Sequence, residues 1–475
     1  MFENLGKKYT FYFKPIFFLG LIGLILSCNT AMDEKTTTYF GGKIKNPKEP
    51  FVYFLKNNKV IDSTKIKHNR FLFKFDTIKE GLFTFMNGPE FQYLFIEPKD
   101  SLMLYLNTWN FDETIIFSGK GAEKNNFLIY VFLEQEKIEN RFRQYYYLKP
   151  ESFSKKIEEE LKPLQARYEK MVSKENIHFS DKFKKLATVA IYYPFYSRKE
   201  YYTLKHRDTR NRYDFPEVGK DFYDFRKNVD LNDASLISFR SYTYYLESFL
   251  YNMAYQKGKE NPDKRNFSLQ FMETVNENIT NPVLKNKYLV SAFWGSLKNN
   301  LPEEKLEPIK AYFFKNCKDK TYITEAENAL HQYSKLKKGD TLPQLLTFNT
   351  EGQRIDLHKV LKNREAVIYF WPDDLTKKEL MLKTLYIYKK EFPDLLFIGI
   401  EKSQNDKEWK EFLIQKHLKK ENQFKLSHNC KTYSWFDHNA GRTLIIDDKG
   451  VIQNPFLFFS DTYYLNKNLH QLKKQ

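Results

Sequence analysis

The chain has 475 residues, with 77 lysines and arginines against 60 aspartates and glutamates, and a formal net charge of +17. This length exceeds that of an ordinary single domain, so we expect two or three domains, each with its own core. The basic charge is spread along the whole chain, which a general enrichment in lysine, asparagine and aromatic residues explains better than a polyanion site. We therefore predict no nucleic-acid partner.

The first thirty residues predict export and a lipid anchor. The basic stretch MFENLGKKYTFYFK is followed by the apolar run IFFLGLIGLILS, which ends before Cys28. A basic segment, a short apolar segment and a small residue before the cleavage point are typical of a signal peptide, here residues 1–27. The letters ILSC resemble a bacterial lipobox, which implies lipidation of Cys28; an uncleaved N-terminal anchor is the alternative. Both predict a membrane-bound protein of the cell envelope that faces the periplasm, with residues 28–38 as a polar tether.

Two further cysteines, Cys317 and Cys430, follow far along the chain. Export to an oxidising compartment permits a disulfide between them, but their spacing does not determine connectivity. Two isolated thiols are the interpretation that we favour.

Residues 39–122 predict a small all-β domain. The runs FVYFL, RFLFKF, GLFTFM, FQYLFIE and SLMLYL recur at intervals of about ten residues, separated by Asn, Gly, Pro, Asp and Lys. This rhythm is typical of an antiparallel β-sandwich. The domain ends in the phrase FSGKGAEKNNFL, where Gly119 and Gly121 precede a helical pattern.

Residues 123–336 carry apolar side chains at helical spacing and predict a helical middle region. Its segment YYPFYSRKEYYTLKHRDTRNRYDF interleaves basic residues with tyrosines. Helix packing by amphipathic tyrosine and arginine explains the pattern; a single-stranded nucleic-acid clamp and a groove for an acidic peptide or glycan are the alternatives. The residues concerned are Arg198, Lys205, Arg207, Arg210, Arg212, Tyr192, Tyr193, Tyr196, Tyr201, Tyr202 and Tyr213.

Residues 337–475 predict an α/β sandwich. The apolar run AVIYFW is followed by the helix TKKELMLKTLYIYKKEF, the strand DLLFIGI and the helix DKEWKEFLIQKHL. The strands RTLIID and VIQNPF and a closing helix near YLNKNLHQLKK complete the unit. A near-continuous apolar run such as AVIYFW indicates a strand covered on both faces.

The motifs of this segment resemble those of TlpA/ResA-type thioredoxin modules. GDTLPQLL is similar to the entry segment of that family, AVIYFW to its central strand and TLIIDDKGVI to its hairpin. The order of the preceding regions, with a Gly-Lys-Gly phrase from Gly119 to Leu128, resembles bacterial envelope lipoproteins in which an uncharacterised β-domain precedes helices and a thioredoxin module. The resemblance implies a thioredoxin-like fold and thiol-disulfide exchange.

The chain departs from that family at its redox site. Alignment from the Phe-Trp pair puts Leu375 and Lys378 where the family has the two cysteines of its Cys-x-x-Cys motif, and Gly441 where it has a cis-proline. Exchange needs a thiolate at the helix N-terminus and a second thiol to resolve the mixed disulfide. We therefore expect the thioredoxin-like domain to be redox-inactive.

The evidence for other chemistry where the strand AVIYFW leads into the following helix is weaker. FWPDDLTKKE resembles a peroxiredoxin phrase at Pro372 and Thr376, but Glu379 stands at the position of the peroxidatic cysteine. The adjacent Asp373 and Asp374 suit helix capping better than acid–base catalysis.

Cys430 lies near three residues that could form a cysteine–histidine or metal cluster, but their spacing is typical of an ordinary loop. We predict no metal and no cofactor. The three neighbouring residues are His428, Asp437 and His438.

The interpretation that the sequence favours is a lipid-anchored envelope protein whose degenerate thioredoxin-like domain is a binding or scaffolding module. Its expected partners are the membrane, through Cys28, and an envelope protein, peptide or glycan. The alternative is a TlpA/ResA-type thiol-disulfide oxidoreductase that acts through Cys430 or Cys317.

Overall fold

A computed structural model describes residues 37–206, 216–260, 266–372, 375–403, 405–436, 442–459 and 461–472. The predicted signal peptide and Cys28 lie outside the described residues, so export and lipid anchoring stay predictions. Within these ranges, no helix combines the length and the apolar character that crossing a membrane requires.

The N-terminal region forms two four-stranded sheets, with strand orders β4-β1-β7-β8 and β3-β2-β5-β6. In β4 the buried Phe71 and Phe73 alternate with exposed residues, as a strand with one buried face requires. The strands are β1 (Thr38–Lys45), β2 (Phe51–Lys56), β3 (Lys59–Lys65), β4 (Arg70–Phe75), β5 (Gly81–Asn87), β6 (Glu90–Ile96), β7 (Ser101–Asn107) and β8 (Ile116–Lys120).

The two sheets share one phenylalanine-rich core. Phe40 of the first sheet lies with its ring centroid 6.0 Å from that of Phe54 and 5.6 Å from that of Phe85, both in the second sheet. Such tilted ring pairs add to the free energy gained by burying apolar area.

One pairing corrects the expectation of a purely antiparallel domain. β1 pairs with β7 in parallel, with Phe40 opposite Leu102, whereas it pairs with β4 antiparallel. Parallel neighbours need a long crossover connection. The excursion of the chain through the second sheet, between β4 and β7, supplies that connection.

Eight α-helices follow in the described part of the middle region, and they share one large apolar core. Three of them contain an internal proline: Pro163, Pro194 and Pro308. The helices are α1 (Ala122–Tyr145), α2 (Pro150–Val172), α3 (Asp181–His206), α4 (Arg240–Glu260), α5 (Phe267–Asn278), α6 (Pro282–Lys298), α7 (Glu303–Asn316) and α8 (Lys320–Lys335).

Two adjacent asparagines attach the start of α1 to both sheets. The Asn125 amide accepts a hydrogen bond from Phe95 N (2.7 Å) and donates one to Phe95 O (2.9 Å) on the edge strand β6. The Asn126 amide bonds in the same way to Phe117 N and O, both at 2.9 Å, on the edge strand β8. These side chains pair with main-chain groups of edge strands, which lack a second neighbouring strand.

Backbone conformation and close contacts explain why the Gly-Lys-Gly phrase has glycine at both of its outer positions. Gly119 and Gly121 have φ of 85° and 96°, and a Cβ at Gly121 would lie 2.7 Å from the Asp100 carboxylate. That carboxylate accepts hydrogen bonds from Lys124 Nζ (3.1 Å) and Glu97 N (2.9 Å). Glycine therefore allows β8 to turn into α1 against a buried ion pair.

The C-terminal unit contains a seven-stranded sheet in the order β10-β9-β13-β12-β11-β14-β15. β11 pairs in parallel with β12 and antiparallel with β14. The elements are β9 (Thr347–Phe348), β10 (Arg354–Ile355), α9 (Leu357–Leu361), β11 (Ala366–Phe370), α10 (Leu375–Glu391), β12 (Leu396–Glu401), α11 (Asp406–Gln415), β13 (Gln423–Leu426), β14 (Arg442–Ile446), β15 (Ile452–Phe458) and α12 (Thr462–Leu472).

The short strands β9, β10 and β13 were not predicted from the sequence. β13 has four residues and begins with the fully buried Gln423, so it lacks the apolar run by which a covered strand is recognised. It pairs in parallel with β12 and extends the sheet beyond the predicted strands.

The helical region packs against β15, an edge strand of this sheet. The Trp294 ring in α6 stacks on Phe456, with an interplanar angle of 5° and centroids 5.9 Å apart. Lys298 forms an ion pair with Asp461, and Asn454 Nδ2 donates to Lys298 O at 3.2 Å. The edge strand is thereby covered by the same chain.

Candidate functional site

The candidate site is the corner between β11 and α10, where the sequence pattern puts a degenerate redox motif. All five residues of β11 and the following Trp371 are buried, and α10 begins at Leu375. Asp373 and Asp374, which we expected to cap the helix, lie outside the described residues. The same is true of Gly441 and of the side chains of Leu375 and Thr376.

Lys378, which the sequence alignment puts at the position of the second family cysteine, forms an ion pair that is nearly removed from solvent. Its Nζ lies 2.8 Å from Glu401 Oε2 at the end of β12, and the two side chains are 13% and 1% exposed. Glu401 Oε1 accepts hydrogen bonds from the N–H groups of Lys402 and Ser403, both at 2.9 Å. The carboxylate thus has partners on both oxygens, as a buried charge requires.

The electrostatics of this pair differ from those of a thiolate site. An ammonium in the first turn of α10 faces the positive end of the helix dipole, which is unfavourable by itself. Glu401 offsets that repulsion and fixes the lysine against Phe412, whose ring centroid lies 5.4 Å from Nζ. The pair has no net charge and provides no nucleophilic sulfur.

A buried hydrogen-bond chain supports the strand side of the corner. Trp371 Nε1 donates to Gln423 Oε1 at 3.0 Å, and Gln423 Nε2 donates to the Tyr369 hydroxyl at 3.1 Å. A Cβ at position 399 would lie 2.2 Å from Gln423 Oε1. Gly399 on β12 therefore leaves the space in which this buried amide reaches the tryptophan.

Cys430 lies on the other face of the sheet from α10. It belongs to the apolar cluster that contains Ile368 and Phe370, whereas Tyr369 and Trp371 pack with α10 in a second cluster. Successive residues of a strand point to opposite faces, which separates the two clusters. The structure therefore does not bring this thiol into the apolar cluster of α10.

The surroundings of the Cys430 thiol nevertheless lower its pKa. Burial by itself would raise the pKa, but Sγ accepts a hydrogen bond from Leu346 N (3.4 Å) and contacts Thr432 Oγ1 (3.2 Å). These contacts favour the thiolate, and the resulting pKa lies below the ordinary value for cysteine.

His428, which we weighed as a neighbour of Cys430 and interpreted as part of an ordinary loop, bonds elsewhere. His428 Nε2 lies 3.0 Å from Lys402 O, and its ring centroid is 4.3 Å from that of Tyr433. The other two residues of that sequence cluster, Asp437 and His438, lie outside the described residues. Among the residues that the structure describes, no group of three or more histidine, cysteine or acidic side chains is arranged to hold a metal ion.

Cys317 is remote from this corner in structure as well as in sequence. It follows the end of α7, is 1% exposed and belongs to the core of the helical region. Burial raises the pKa of its thiol above the ordinary value. Cys317 and Cys430 form no disulfide in the described structure.

The tyrosine- and arginine-rich segment contributes to helix packing. Tyr193 and Tyr202 are buried in the helical core, and Arg198 is 4% exposed and bonds to Glu139 and Gln135. The remaining arginines of the segment, Arg207, Arg210 and Arg212, and Tyr213 lie outside the described residues.

Glu401 and Gln423 were not predicted from the sequence. The glutamate at the end of the apolar run LFIGIE could have indicated a buried carboxylate, which requires a hydrogen-bonding or charged partner. Lys378 was considered only as a missing cysteine, because a local pattern does not show which distant residue faces it.

The central β11, the helix α10 that follows it and the β14–β15 pair at one end of the sheet give the C-terminal unit a thioredoxin-like fold. The solved structures that the chain resembles include proteins described as thiol-disulfide oxidoreductases and thiol:disulfide interchange proteins. No family model and no curated protein matches the chain.

Three solved structures illustrate the likeness. The thioredoxin domain of a thiol-disulfide oxidoreductase from Bacteroides vulgatus is 19% identical over 28% of this chain and 98% of its own, with a TM-score of 0.23. A thiol:disulfide interchange protein from Bacteroides sp. is 18% identical over 29% and 91% of the two chains, with a TM-score of 0.24. Peroxidoxin BcpB from Mycobacterium tuberculosis is 17% identical over 29% and 97%, with a TM-score of 0.25.

Proposed function

We propose that this protein is a lipid-anchored protein of the bacterial cell envelope whose thioredoxin-like unit performs no thiol-disulfide exchange and acts as a binding or scaffolding module. The lipid on Cys28 attaches it to a membrane, and the described units face the periplasm. Its partner is an envelope protein, peptide or glycan, and no nucleic acid is involved.

The observation that carries the proposal is the ion pair between Lys378 and Glu401. Thiol-disulfide exchange forms a bond between an attacking thiolate and one sulfur of the substrate and then needs a second thiol to release the enzyme. A buried ammonium held by a carboxylate can do neither. The family scaffold is kept while its reacting atoms are replaced, which favours a role in binding.

The test is an insulin-reduction assay on the soluble part that begins at Asn29, with dithiothreitol as the electron donor. We expect turbidity to develop no faster than with dithiothreitol alone. A Leu375→Cys/Lys378→Cys variant controls for the scaffold, because it restores the spacing of the family motif. Catalysis by the unmodified protein that disappears in Cys430→Ser or Cys317→Ser would overturn the proposal.

The second candidate function is thiol oxidoreduction through Cys430. The observation in its favour is the lowered pKa of that thiol, which results from the contacts with Leu346 N and Thr432 Oγ1. A thiolate at neutral pH is the reactive form in such chemistry. Cys317 has the opposite shift and is the weaker of the two nucleophiles.

A further inference from the structure

A cavity of about 500 Å³ opens between the β-rich region and the helices, and its size suits a ligand of small-molecule dimensions. We call it the Arg198 cavity. It is lined by Tyr93 of β6 together with residues of α1, α3 and α4, among them Arg198 and Tyr244. It therefore lies where the two regions meet, away from the thioredoxin-like unit.

The lining of the Arg198 cavity includes an aliphatic wall. Leu128 and Val131 of α1 lie beside Ala190 and Pro194 of α3 in this wall. Aliphatic groups gain free energy by covering an apolar side chain. This wall therefore suits an apolar amino-acid side chain, while polar residues such as Gln92 and Glu136 line other parts of the cavity.

The same wall includes the point at which Pro194 interrupts the main-chain hydrogen bonding of α3. In α3 the carbonyl of Ala190 would normally accept a hydrogen bond from the N–H four residues later, but that residue is Pro194, which has none. Both residues line the cavity. A ligand with an N–H group can supply the donor that the helix lacks.

The rim of the Arg198 cavity contributes both charged and neutral hydrogen-bond donors. Arg240 lines the cavity with a side chain that is 66% exposed, and its guanidinium is 3.7 Å from Glu247 Oε2. Ser241 lies beside it on the cavity wall, and the Tyr93 hydroxyl accepts a hydrogen bond from the main-chain N–H of Arg240 at 3.3 Å. These groups can bind a carbonyl or carboxylate oxygen.

Arg198 holds its side of the cavity in place. Its guanidinium donates to Gln135 Oε1 at 2.8 Å and to Glu139 Oε2 at 3.0 Å, and it lies 4.8 Å from the Phe142 ring centroid. Because these partners occupy its donors, Arg198 fixes α1 against α3 and keeps the wall rigid. A preformed wall lowers the entropic cost of binding.

From this juxtaposition of an aliphatic wall, a main-chain acceptor at Ala190 and the donors at Arg240 and Ser241, we infer that the Arg198 cavity binds a short extended peptide segment with an apolar side chain. The apolar side chain covers Leu128 and Val131, a peptide N–H donates to Ala190 O, and a ligand oxygen accepts from Arg240. The inference rests on the proposed binding function and names its site and ligand class.

The experiment measures binding of fluorescent tetrapeptide pools to the soluble part that begins at Asn29. Each peptide carries Leu, Ile, Val or Phe at its second position. One pool has a free C-terminal carboxylate and a second pool is amidated, which distinguishes a free peptide end from an internal segment. A pool of chito-oligosaccharides tests the glycan alternative. We expect saturable peptide binding below about 1 mM.

Two variants assign the binding to the cavity. Ser241→Trp should fill its mouth and weaken binding at least tenfold, whereas Thr188→Trp on an exposed position of α3 should leave binding unchanged. Pro194→Ala supplies the missing N–H to Ala190 O and should weaken binding at least fivefold without lowering the unfolding temperature. A purely structural role of Pro194 would not produce that combination.

Absence of saturable binding by both peptide pools would overturn the inference, as would equal binding by Ser241→Trp and the unmodified protein. Binding of the oligosaccharide pool alone would overturn the peptide assignment. If the peptides bind but Ser241→Trp has no effect, the cavity assignment fails while the proposed binding function stands. The insulin-reduction assay does not depend on this cavity, so the two proposals fail separately.

Discussion

The ammonium of Lys378, in the first turn of α10, lies 2.8 Å from the carboxylate of Glu401. The two residues belong to different elements, α10 and β12, and the pair is nearly removed from water. Breaking such a pair leaves one buried charge without a counter-charge, which costs more than exchanging both residues for neutral ones.

We predict that Glu401→Gln lowers the free energy of local opening of β12 by about 2–3 kcal/mol, less than for a fully buried pair because Lys378 keeps some contact with water. The double variant Lys378→Met/Glu401→Gln should recover to within about 1 kcal/mol of the unmodified protein. Native-state hydrogen exchange measures this opening without assuming that the whole chain unfolds in one step.

The control for this pair is Lys407→Met/Glu411→Gln, which removes an exposed pair in α11 with atoms 4.0 Å apart. Its expected effect is below about 1 kcal/mol. An equal loss in Glu401→Gln and in this control would show that the pair at the corner makes no special contribution.

We predict that Cys430 has a pH profile of alkylation shifted below that of an ordinary cysteine. Iodoacetamide should modify it at pH 7 at least tenfold faster than Cys317, because burial raises the pKa of the Cys317 thiol. Thr432→Val removes one contact of the sulfur and should move the profile to higher pH. Mass spectrometry of the folded soluble part gives the two rates.

The matched control for Thr432→Val is Thr188→Val, the same exchange at an exposed position of α3 in the helical region. This control should leave the alkylation profile of Cys430 where it is in the unmodified protein. A profile that Thr432→Val also leaves unchanged would contradict the assigned cause of the shift.

We predict that Asn125→Ala destabilises the junction between the β-rich region and α1 by about 1–3 kcal/mol, since it leaves buried main-chain groups of Phe95 without their partners. Asn126→Ala should cost less because Asn126 is exposed. Urea denaturation monitored by hydrogen exchange of the main-chain amides in β6 and β8 measures the effect of each substitution. Asn140→Ala, at an exposed position of α1, serves as the control and should change little.

Asp112 gives the protein a pH-dependent contribution to stability. Burial, with nearby carboxylates adding to it, raises the pKa of this group from 3.8 to about 6, although a hydrogen bond from Gln92 opposes the rise. The folded state therefore holds the proton more tightly than the unfolded chain. The contribution is present below about pH 4 and is lost as the pH rises through about 6.

We predict that Asp112→Asn removes this dependence and stabilises the protein at pH 7 by about 1 kcal/mol, after allowance for solvent screening of a half-buried group. Thermal unfolding between pH 4 and pH 7 measures the change. The exposed Glu175→Gln is the control. A steeper dependence in Asp112→Asn would contradict the sign that we derive.

The order of a β-rich region, helices and an α/β unit could be predicted because the evidence for it is local. RFLFKF alternates with period two, and the buried run AVIYFW indicates the covered strand β11. The absence of cysteine at Leu375 and Lys378 is likewise read directly from the sequence. The short strand β13 was missed because it has four residues and begins with the buried Gln423, so it lacks an apolar run.

The residues themselves determined the order of a β-rich region, helices and an α/β unit and the absence of cysteine at Leu375 and Lys378, since periodicity and residue type are properties of short segments. Only the tertiary structure decided that β1 runs parallel to β7, that Lys378 meets Glu401 and that Arg198 borders a cavity. Each of these depends on which distant segments pack together. Packing free energy is summed over the whole fold, so no local pattern contains it.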